Sequence, residues 1–262
     1  MFSLSDARAI ADLSEEAGRI ILAIRAAHLS ETKDWSAENK KDGTPVTRAD
    51  HESQAHILAG LARLGLKGPV VAEESDAPAI GKGCKGFYLI DPLDGTRAFV
   101  NGGEDFTVNI GFADFSLPGG RPILGVVHVP MTGETYFGAG NAAFYRKGGV
   151  EEKIAARRAD STGVDVIVNR TEDWSGRLSG FLKGLQLREL KRLSSAQKLG
   201  LVARGLYDLY PRFGPTYEWD IAAGDAILRA AGGTVETMDG ADLTYNKPGF
   251  RNPPFVARGL KS

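Results

Sequence analysis

The part of this chain that most constrains its fold is the hexapeptide at residues 91–96, Asp-Pro-Leu-Asp-Gly-Thr. The apolar run at residues 87–90 precedes it and predicts a buried strand. Because Pro92 has no N–H to donate within a sheet, we expect the strand to end there. The sequence thus predicts that Asp91 and Asp94 emerge at the end of a strand, where α/β proteins commonly bind ligands.

The residue types of this hexapeptide suit a metal ion and a phosphate group. Two carboxylates on a rigid turn are ligands for a hard divalent cation such as magnesium. Gly95 lets the backbone approach a ligand closely, and a helix that starts near Thr96 would offer N–H groups to an anion. The hexapeptide therefore indicates metal-assisted phosphoryl chemistry. The alternative is an ordinary capped loop, because Asp-Pro and Asp-Gly are common turn pairs.

Length and charge limit the class of protein and its partners. The 262 residues suffice for one large domain or two smaller ones. A net charge of −1 gives no global basic field that would point to nucleic acid or to an anionic membrane, and we expect no nucleic acid as a partner. The single cysteine, Cys84, excludes an internal disulfide and a cysteine-rich zinc site. The polar stretch at 146–163 predicts a boundary between an N-terminal half, 1–148, and a C-terminal half, 149–262.

The apolar runs bear on localisation. The start of the chain lacks a basic region followed by a long apolar stretch, which predicts no signal peptide. The longest apolar runs are far shorter than a membrane span, so we expect no integral membrane segment. With one cysteine the composition fits a reducing compartment, and the predicted location is cytoplasmic, with a peripheral position at the inner membrane as a variant.

Three further acids are placed at the ends of predicted elements. A short strand at residues 70–72 runs into Glu73, and two such strands side by side would bring Glu73, Asp91 and Asp94 together. Asp220 starts a helix of small residues. Burying these acids together without cations would be prohibitive, so their convergence implies metal. Asp50 is either a surface acid matched to a helix dipole or an acid aimed into the metal pocket.

Taken together, three segments resemble the lithium-sensitive, magnesium-dependent inositol monophosphatase superfamily. They are residues 71–75 (Val-Ala-Glu-Glu-Ser), residues 91–96 with Phe99, and residues 219–224 (Trp-Asp-Ile-Ala-Ala-Gly) followed by Ala-Gly-Gly at 231–233. Narrower features resemble its 3′(2′),5′-bisphosphate nucleotidase branch: residues 43–47 with Asp50, 105–110, 209–216, 245–248, and Asn252 with Pro253. That branch removes the 3′-phosphate from 3′-phosphoadenosine 5′-phosphate, a by-product of sulfate activation.

The resemblance implies a role for each matching residue. Glu73, Asp91 and the backbone carbonyl of Leu93 would hold a first magnesium ion (Mg2+), and Asp91, Asp94 and Asp220 a second, with a third, weaker ion near Glu73. Thr96, supported by Asp50, would orient the attacking water, and the N–H groups of Gly95 and Thr96 would hold the phosphate. The implied fold is a layered α-β-α-β-α sandwich, often a homodimer, whereas the residue pattern by itself indicates only mixed α/β.

The substrate is less constrained than the metal chemistry. Lys198 and Arg212 are the candidates for the 5′-phosphate of a nucleotide bisphosphate, although both can equally be solvated surface cations. This chain has Ser-Ser-Ala at 194–196 where the branch has Gly-Ser-Ser, and its Gly-Gly-Glu at 102–104 is less basic than is common there. The alternatives are an inositol or histidinol monophosphatase, against which Arg212 argues, and a catalytically silent regulator, against which the complete motif set argues.

Overall fold

The fold is built from two β-sheets with helices on their faces. The structure, a computed structural model, describes residues 2–31, 38–39, 45–75, 83–172 and 176–260. Gly43 and Thr44, which contribute to the family resemblance, lie outside the described residues.

Within the described residues, the first part of the chain forms three α-helices, a two-stranded ribbon and a seven-stranded sheet. The helices are α1 (Leu4–Glu31), α2 (Arg48–Arg63) and α3 (Thr96–Val100), and the ribbon pairs β1 (Glu38–Asn39) with β2 (Pro45–Val46). The sheet comprises β3 (Val70–Ala72), β4 (Gly86–Asp94), β5 (Thr107–Asp114), β6 (Pro122–Val129), β7 (Glu134–Ala139), β8 (Ala142–Lys147) and β9 (Val150–Ile154). Its strands follow one another in chain order, and only β3 and β4 are parallel.

The second part of the chain forms a five-stranded sheet and three more helices. The strands are β10 (Val164–Asn169), β11 (Leu187–Leu193), β12 (Leu209–Arg212), β13 (Thr234–Thr237) and β14 (Phe255–Arg258), in the spatial order β11-β10-β12-β14-β13. The helices are α4 (Arg177–Leu182), α5 (Gln197–Ala203) and α6 (Glu218–Ala230). β10 is parallel to both of its neighbours, and β14 runs antiparallel to β12 and β13.

Three apolar clusters hold the layers together in the order helix, sheet, helix, sheet, helix. Buried residues of α1 and α2 pack on one face of the seven-stranded sheet. α5 and α6 fill the space between the two sheets and share a single core with both. Leu178 of α4 packs on the outer face of the five-stranded sheet. This arrangement buries α6 on all sides, which explains its small residues.

Two glycines let α6 come very close to the seven-stranded sheet. A Cβ at Gly125 in β6 would lie 2.0 Å from the carbonyl oxygen of Ala223, and one at Gly111 in β5 would lie 2.8 Å from the Ala223 nitrogen. No side chain fits in such a gap, because real Cβ atoms do not approach backbone atoms this closely. The contact of α6 with the sheet is therefore backbone to backbone, and it fixes the distance between the helix and the sheet.

Pro92 does not end the predicted strand, which continues to Asp94. Asp91 pairs with Asn109 of β5, and Asp94 pairs with Thr107, so two residues of β4 stand opposite the single residue Val108. This is a β-bulge, in which an unpaired residue needs no ladder donor and proline is tolerated. The prediction was wrong about the strand end because a proline at a bulge and a proline after a strand look alike in the sequence.

The predicted division of the chain at residue 148 falls within the first sheet. β9 begins at Val150 and pairs with β8, so the seven-stranded sheet extends past that position. The division into two halves stays a prediction.

Among the described residues, no helix combines the length and the apolar character that crossing a membrane requires.

Candidate metal centre

Parallel pairing of β3 with β4 places two carboxylates side by side. Ala72 pairs with Ile90, and the N–H of Glu73 donates to the carbonyl oxygen of Ile90 across 3.0 Å. Glu73 therefore lies next to Asp91, the residue that follows Ile90. One carboxylate oxygen from each of Glu73, Asp91 and Asp220 lies within 4.8 Å of the others. The structure thus brings together three acids that are distant in sequence.

Asp220 reaches this cluster from the first turn of α6. Its Oδ2 accepts a hydrogen bond of 2.8 Å from the backbone N–H of Tyr217, which ties the carboxylate to the start of the helix. An acid is favoured at this end of a helix in any case. The close approach of α6 to the sheet at Gly111 and Gly125 brings Asp220 to the level of Asp91. The sequence signal for this approach, glycines in strands opposite an Ala-Ala-Gly helix, was not used in our prediction.

Asp94 lies outside that group of three but shares its electrostatics. The hydroxyl of Thr107 lies 3.4 Å from its Oδ2. Burial raises the pKa of Asp94, the charge of Lys198 lowers it, and the charge of Glu73 raises it again. The bulge that carries Pro92 turns Asp94 onto the same face of the sheet as Asp91.

The clustered acids repel one another when all are ionised. Burial raises the pKa of Asp91 well above its usual value, and the charges of Glu73, Asp94 and Asp220 raise it further. The pKa of Asp220 is raised in the same way, by burial first and then by Asp94 and Glu73. A divalent cation would lower these pKa values, because it stabilises the ionised carboxylates that surround it.

The donor set at this site fits a hard divalent cation. The side-chain atoms of Glu73, Asp91 and Asp220 that could coordinate a metal are carboxylate oxygens, the ligands that magnesium and calcium prefer. Asn109 lies opposite Asp91 in the β4–β5 pair, is 0% exposed, and neither atom of its amide finds a hydrogen-bond partner among the described residues. Such an amide needs polar partners, and a hydrated cation next to Asp91 would supply them.

Leu93 and Thr96 form the turn that leads out of the cluster. The N–H of Leu93 donates to Asp91 Oδ1 across 3.0 Å, and Ser53 of α2 donates to the carbonyl oxygen of Pro92 across 2.9 Å. The hydroxyl of Thr96 lies 3.0 Å from the carbonyl oxygen of Leu93. The carbonyl predicted as a metal ligand is therefore next to the hydroxyl predicted to orient water.

Gly95 is required by the shape of this turn. Its φ of 100° lies in the left-handed region, which favours glycine. A Cβ there would also lie 2.7 Å from the carbonyl oxygen of Asp105. The five-residue helix α3 follows at once and begins at Thr96.

Asp50 is not the surface acid that one of our two interpretations allowed. It is 1% exposed, and its Oδ1 accepts from the Thr96 hydroxyl across 3.0 Å. Its Oδ2 accepts from the N–H of Thr47 at 2.7 Å and from the Thr47 hydroxyl at 2.6 Å, which completes a capping box at the start of α2. Burial raises the pKa of Asp50, and the hydrogen bonds from Thr47 and Thr96 lower it.

A pocket opens beside the acids and contains both predicted phosphate-binding cations. Asp94, Lys198, Arg212 and Asp220 all contribute to its wall, together with Asn169, Ser195, Ala196, Leu199, Tyr210, Pro215, Thr216 and Ile221. Lys198 is 1% exposed, so it is not a solvated surface cation. Its Nζ donates to the carbonyl oxygen of Ser195 and lies 5.1 Å from the centre of the Tyr210 ring. Burial lowers the pKa of Lys198 to about 7, while the charge of Asp94 raises it.

Arg212 is largely but not fully buried, and it has an acidic partner that the sequence did not reveal. Its side chain is 12% exposed, and its Nη1 donates to Glu172 Oε2 across 2.9 Å. Glu172 lies in a polar stretch with no periodicity, so no sequence signal pointed to it. Among the residues that the sequence singled out, the structure thus places Glu73, Asp91, Asp94, Asp220, Leu93, Gly95, Thr96, Asp50, Lys198 and Arg212 in one region.

Comparison with known proteins identifies relatives over almost the whole chain. The sequence profile of the inositol monophosphatase family matches residues 6–258. The 3′(2′),5′-bisphosphate nucleotidase CysQ of Salmonella typhimurium is 36% identical over 249 residues, which cover 94% of this chain and 96% of that protein.

Solved structures agree with the layered fold. CysQ from Bacteroides thetaiotaomicron, described as a bacterial member of the inositol monophosphatase family, matches with a TM-score of 0.78 and 31% identity, covering 98% of each chain. The inositol monophosphatase of Anabaena (Nostoc) sp. PCC 7120 matches with a TM-score of 0.74 and 25% identity over 98% of this chain and 91% of that one. These matches confirm the predicted fold class.

Proposed function

Since this chain belongs to the inositol monophosphatase family, we propose that it is a magnesium-dependent 3′(2′),5′-bisphosphate nucleotidase. It removes the 3′-phosphate of 3′-phosphoadenosine 5′-phosphate and gives AMP and phosphate. The observation that carries the proposal is the pocket that Asp94 and Asp220 line together with two cations, the buried Lys198 and the largely buried Arg212. A substrate with two phosphates needs both kinds of group, acids for metal at one end and cations at the other.

The acids divide between the ions as the family resemblance implies. Glu73, Asp91 and the carbonyl oxygen of Leu93 would hold one magnesium ion, and Asp91, Asp94 and Asp220 another, with a third near Glu73. The mutual proximity of Glu73, Asp91 and Asp220 supports this assignment. Magnesium at these carboxylates supplies a Lewis acid that polarises the phosphoryl oxygens and makes water a better nucleophile at neutral pH.

Thr96 orients the attacking water through its lone pairs. The hydroxyl carries one proton, and the two groups within 3.0 Å of it, Asp50 Oδ1 and the carbonyl oxygen of Leu93, both accept it. Its lone pairs are therefore left to accept a hydrogen bond from water, which aims a water lone pair at phosphorus. Asp50 is a positioning residue in this scheme, because it acts on water only through Thr96.

The remaining groups bind the two phosphates and assist the leaving oxygen. The N–H groups of Gly95 and Thr96 would bind equatorial oxygens of the 3′-phosphate, where charge accumulates during transfer. Lys198 and Arg212 would bind the 5′-phosphate. A water held by Asp94 or Asp220 would give its proton to the ribose oxygen as the bond to phosphorus breaks. The reaction needs no covalent intermediate.

Phosphate release from three substrates tests the proposal. 3′-Phosphoadenosine 5′-phosphate, inositol 1-phosphate and histidinol phosphate are compared at equal concentration with magnesium, for the wild type and for Arg212→Ala. We expect a large preference for the bisphosphate that Arg212→Ala removes. A preference for either monophosphate would assign the chain to an inositol or histidinol monophosphatase, and no release from any of the three would favour a silent regulator.

The homodimer and the peripheral position at the inner membrane stay predictions from the sequence. Gel filtration with light scattering tests the first, and flotation with vesicles tests the second.

A further inference from the structure

Glu172 is a buried acid that none of the roles described above uses. It follows β10 by three residues, and its side chain is 4% exposed. Its carboxylate accepts three hydrogen bonds, from Arg212 Nη1 at 2.9 Å and from the backbone N–H groups of Phe213 and Gly214 at 3.1 Å each. One side chain thereby fastens the loop after β10 to the loop after β12.

These contacts hold the Arg212 guanidinium in one position. Nη1 donates to Glu172, and Nη2 donates to the carbonyl oxygen of Pro215 across 3.1 Å. Gly214 leaves room for this arrangement, because a Cβ there would lie 3.2 Å from Arg212 Cζ. Two of the five N–H donors of the guanidinium are thus engaged, the buried Nε–H has no partner among the described residues, and one N–H on each of Nη1 and Nη2 is left for a ligand.

The fixed guanidinium lines the same pocket as two of the metal-binding acids. Arg212, Lys198 and Asn169 line the pocket with Asp94 and Asp220. The N–H of Glu172 donates to the carbonyl oxygen of Asn169 across 3.0 Å, so the loop that carries Glu172 starts at the pocket edge. Arg212 can therefore bind a second phosphate only where Glu172 and Pro215 hold it.

An arginine that is already ordered binds phosphate better than a mobile one. Ordering a long side chain costs conformational entropy, and this cost is met during folding when the side chain is fixed beforehand. Glu172 also balances the charge of Arg212, whose side chain is 12% exposed and has no other salt bridge among the described residues. A phosphate dianion still gains from the free donors of the guanidinium, because it brings two negative charges to them.

We propose that Glu172 is the positioning residue that sets the preference of this site for bisphosphates over monophosphates, by holding Arg212 for the second phosphate. The inference rests on the proposed function. Within the described part of the chain, no hydrogen bond or ion pair joins the Glu172 side chain to the metal-binding acids or to Thr96, so it acts on substrate choice and not on the chemical step.

The test measures kcat and KM for 3′-phosphoadenosine 5′-phosphate and for adenosine 3′-monophosphate, which lacks only the 5′-phosphate. The enzymes are the wild type, Glu172→Ala, Glu172→Gln, Arg212→Ala and the double variant. We expect Glu172→Ala to lower kcat/KM for the bisphosphate about 10- to 100-fold, mainly through KM, as loss of a charge-assisted hydrogen bond does. Turnover of the monophosphate stays at the wild-type level.

The variants separate positioning from other roles. Glu172→Gln loses the acceptor for Arg212 but keeps one oxygen acceptor for the N–H groups of Phe213 and Gly214, which holds the loop that carries Arg212, so we expect a smaller loss than with alanine. The double variant loses no more preference than Arg212→Ala alone, because the two residues act as one unit. Asp165→Asn is the matched control, since it removes a buried acid that pairs with Arg157 and Arg188 at the other end of β10, and it leaves the preference unchanged.

The outcomes distinguish this inference from the proposed function. A wild type that shows no preference for the bisphosphate overturns the proposed function and the inference with it. If the wild type shows the preference, three results overturn the inference alone. Glu172→Ala keeps the preference, or it lowers kcat/KM equally for both substrates while it melts like the wild type. The third is that Glu172→Gln binds the bisphosphate more tightly than the wild type does. A variant that fails to fold is recognised by its melting curve, and the Gln variant then decides.

Discussion

The hydroxyl of Thr96 and the carboxylate of Asp50 are joined by a hydrogen bond of 3.0 Å, although the two residues belong to different helices. The other oxygen of the same carboxylate caps α2 through Thr47. One acid therefore fixes both the start of a helix and the direction of the proposed catalytic hydroxyl. The geometry of α2 is in this way tied to the geometry of the reacting water.

Removal of the Thr96 hydroxyl should slow the chemical step while the metal-binding acids stay in place. We expect Thr96→Ala to lower kcat by about 10²- to 10⁴-fold, the range for a lost proton-handling or water-orienting group. Thr96→Ser keeps the hydroxyl and should retain most of the activity. Steady-state kinetics with the bisphosphate, together with a calorimetric magnesium titration, check this. Near-normal kcat for Thr96→Ala would remove Thr96 from the mechanism.

Asp94→Asn should nearly abolish turnover and at the same time stabilise the metal-free protein. The substitution removes a ligand, so we expect weaker magnesium binding and a loss in kcat/KM of at least about 10²-fold. It also removes one charge from a group of buried acids that repel one another and that raise the pKa of Asp91 and Asp220. Melting curves with a chelator and with magnesium measure both effects.

The dependence of the melting temperature on magnesium, compared between the wild type and Asp94→Asn, is the signature of a metal site. The wild type should melt higher with magnesium than with chelator, and Asp94→Asn should reduce this difference. Two results would contradict the assignment of these acids to a metal. One is wild-type activity in Asp94→Asn, and the other is a melting temperature of the wild type that does not change with magnesium.

The sequence predicted those parts of the site that short segments determine. The strand before Asp91, the turn at Gly95 and the helix that carries Asp220 in its first turn each follow from neighbouring residues. Pairing of Glu73 with Asp91 was also predictable, because two strands that deliver an acid at their ends were expected to lie side by side.

The remaining features depend on contacts between distant segments. The bulge at Pro92 exists because β5 supplies one residue fewer opposite it, which no local pattern reveals. Lys198 is buried by the layers around α5, and Glu172 finds its partner forty residues further along the chain. Charged residues in helices and loops are usually exposed, so composition alone argued against burial at both positions.

His128 should make the protein less stable as the pH falls below about 6.5. Its Nδ1 lies 2.9 Å from the Thr135 hydroxyl, which itself donates to Glu15, and burial lowers the pKa of the imidazole to about 4. The unfolded chain then binds a proton at His128 between about pH 6.5 and pH 4 while the folded chain does not, so stability falls with falling pH. The loss reaches about 3 kcal/mol at the acid end.

Urea unfolding between pH 4 and pH 7 measures this contribution by difference. His128→Asn keeps a donor near Nδ1 but cannot gain a charge, so its stability should depend less on pH in this window than that of the wild type. The acids of the metal site titrate equally in both proteins, so their contribution cancels when the two stability curves are subtracted. Identical pH profiles for the two proteins would show that His128 charges freely in the folded state.

Gly125→Ala should weaken metal binding without touching any ligand. A Cβ at this position of β6 would lie 2.0 Å from the Ala223 carbonyl oxygen, so α6 has to move away from the sheet. Asp220 precedes Ala223 by less than one turn and moves with it, away from Glu73 and Asp91. We expect a loss of about 1–3 kcal/mol in stability, as for other overpacked cores, together with a lower magnesium affinity and lower activity.

Gly180→Ala separates this effect from the general cost of a larger side chain. Gly180 lies in α4 with nothing within 4 Å of its added Cβ, so alanine there should stabilise the helix by up to about 1 kcal/mol and leave magnesium binding unchanged. Calorimetric titration at a temperature at which both variants are folded compares the affinities. If Gly125→Ala binds magnesium like the wild type, the position of Asp220 does not depend on the close contact of α6 with β6. If its affinity for magnesium falls while Gly180→Ala keeps the wild-type value, Gly125 controls the metal site by setting the distance between α6 and the sheet.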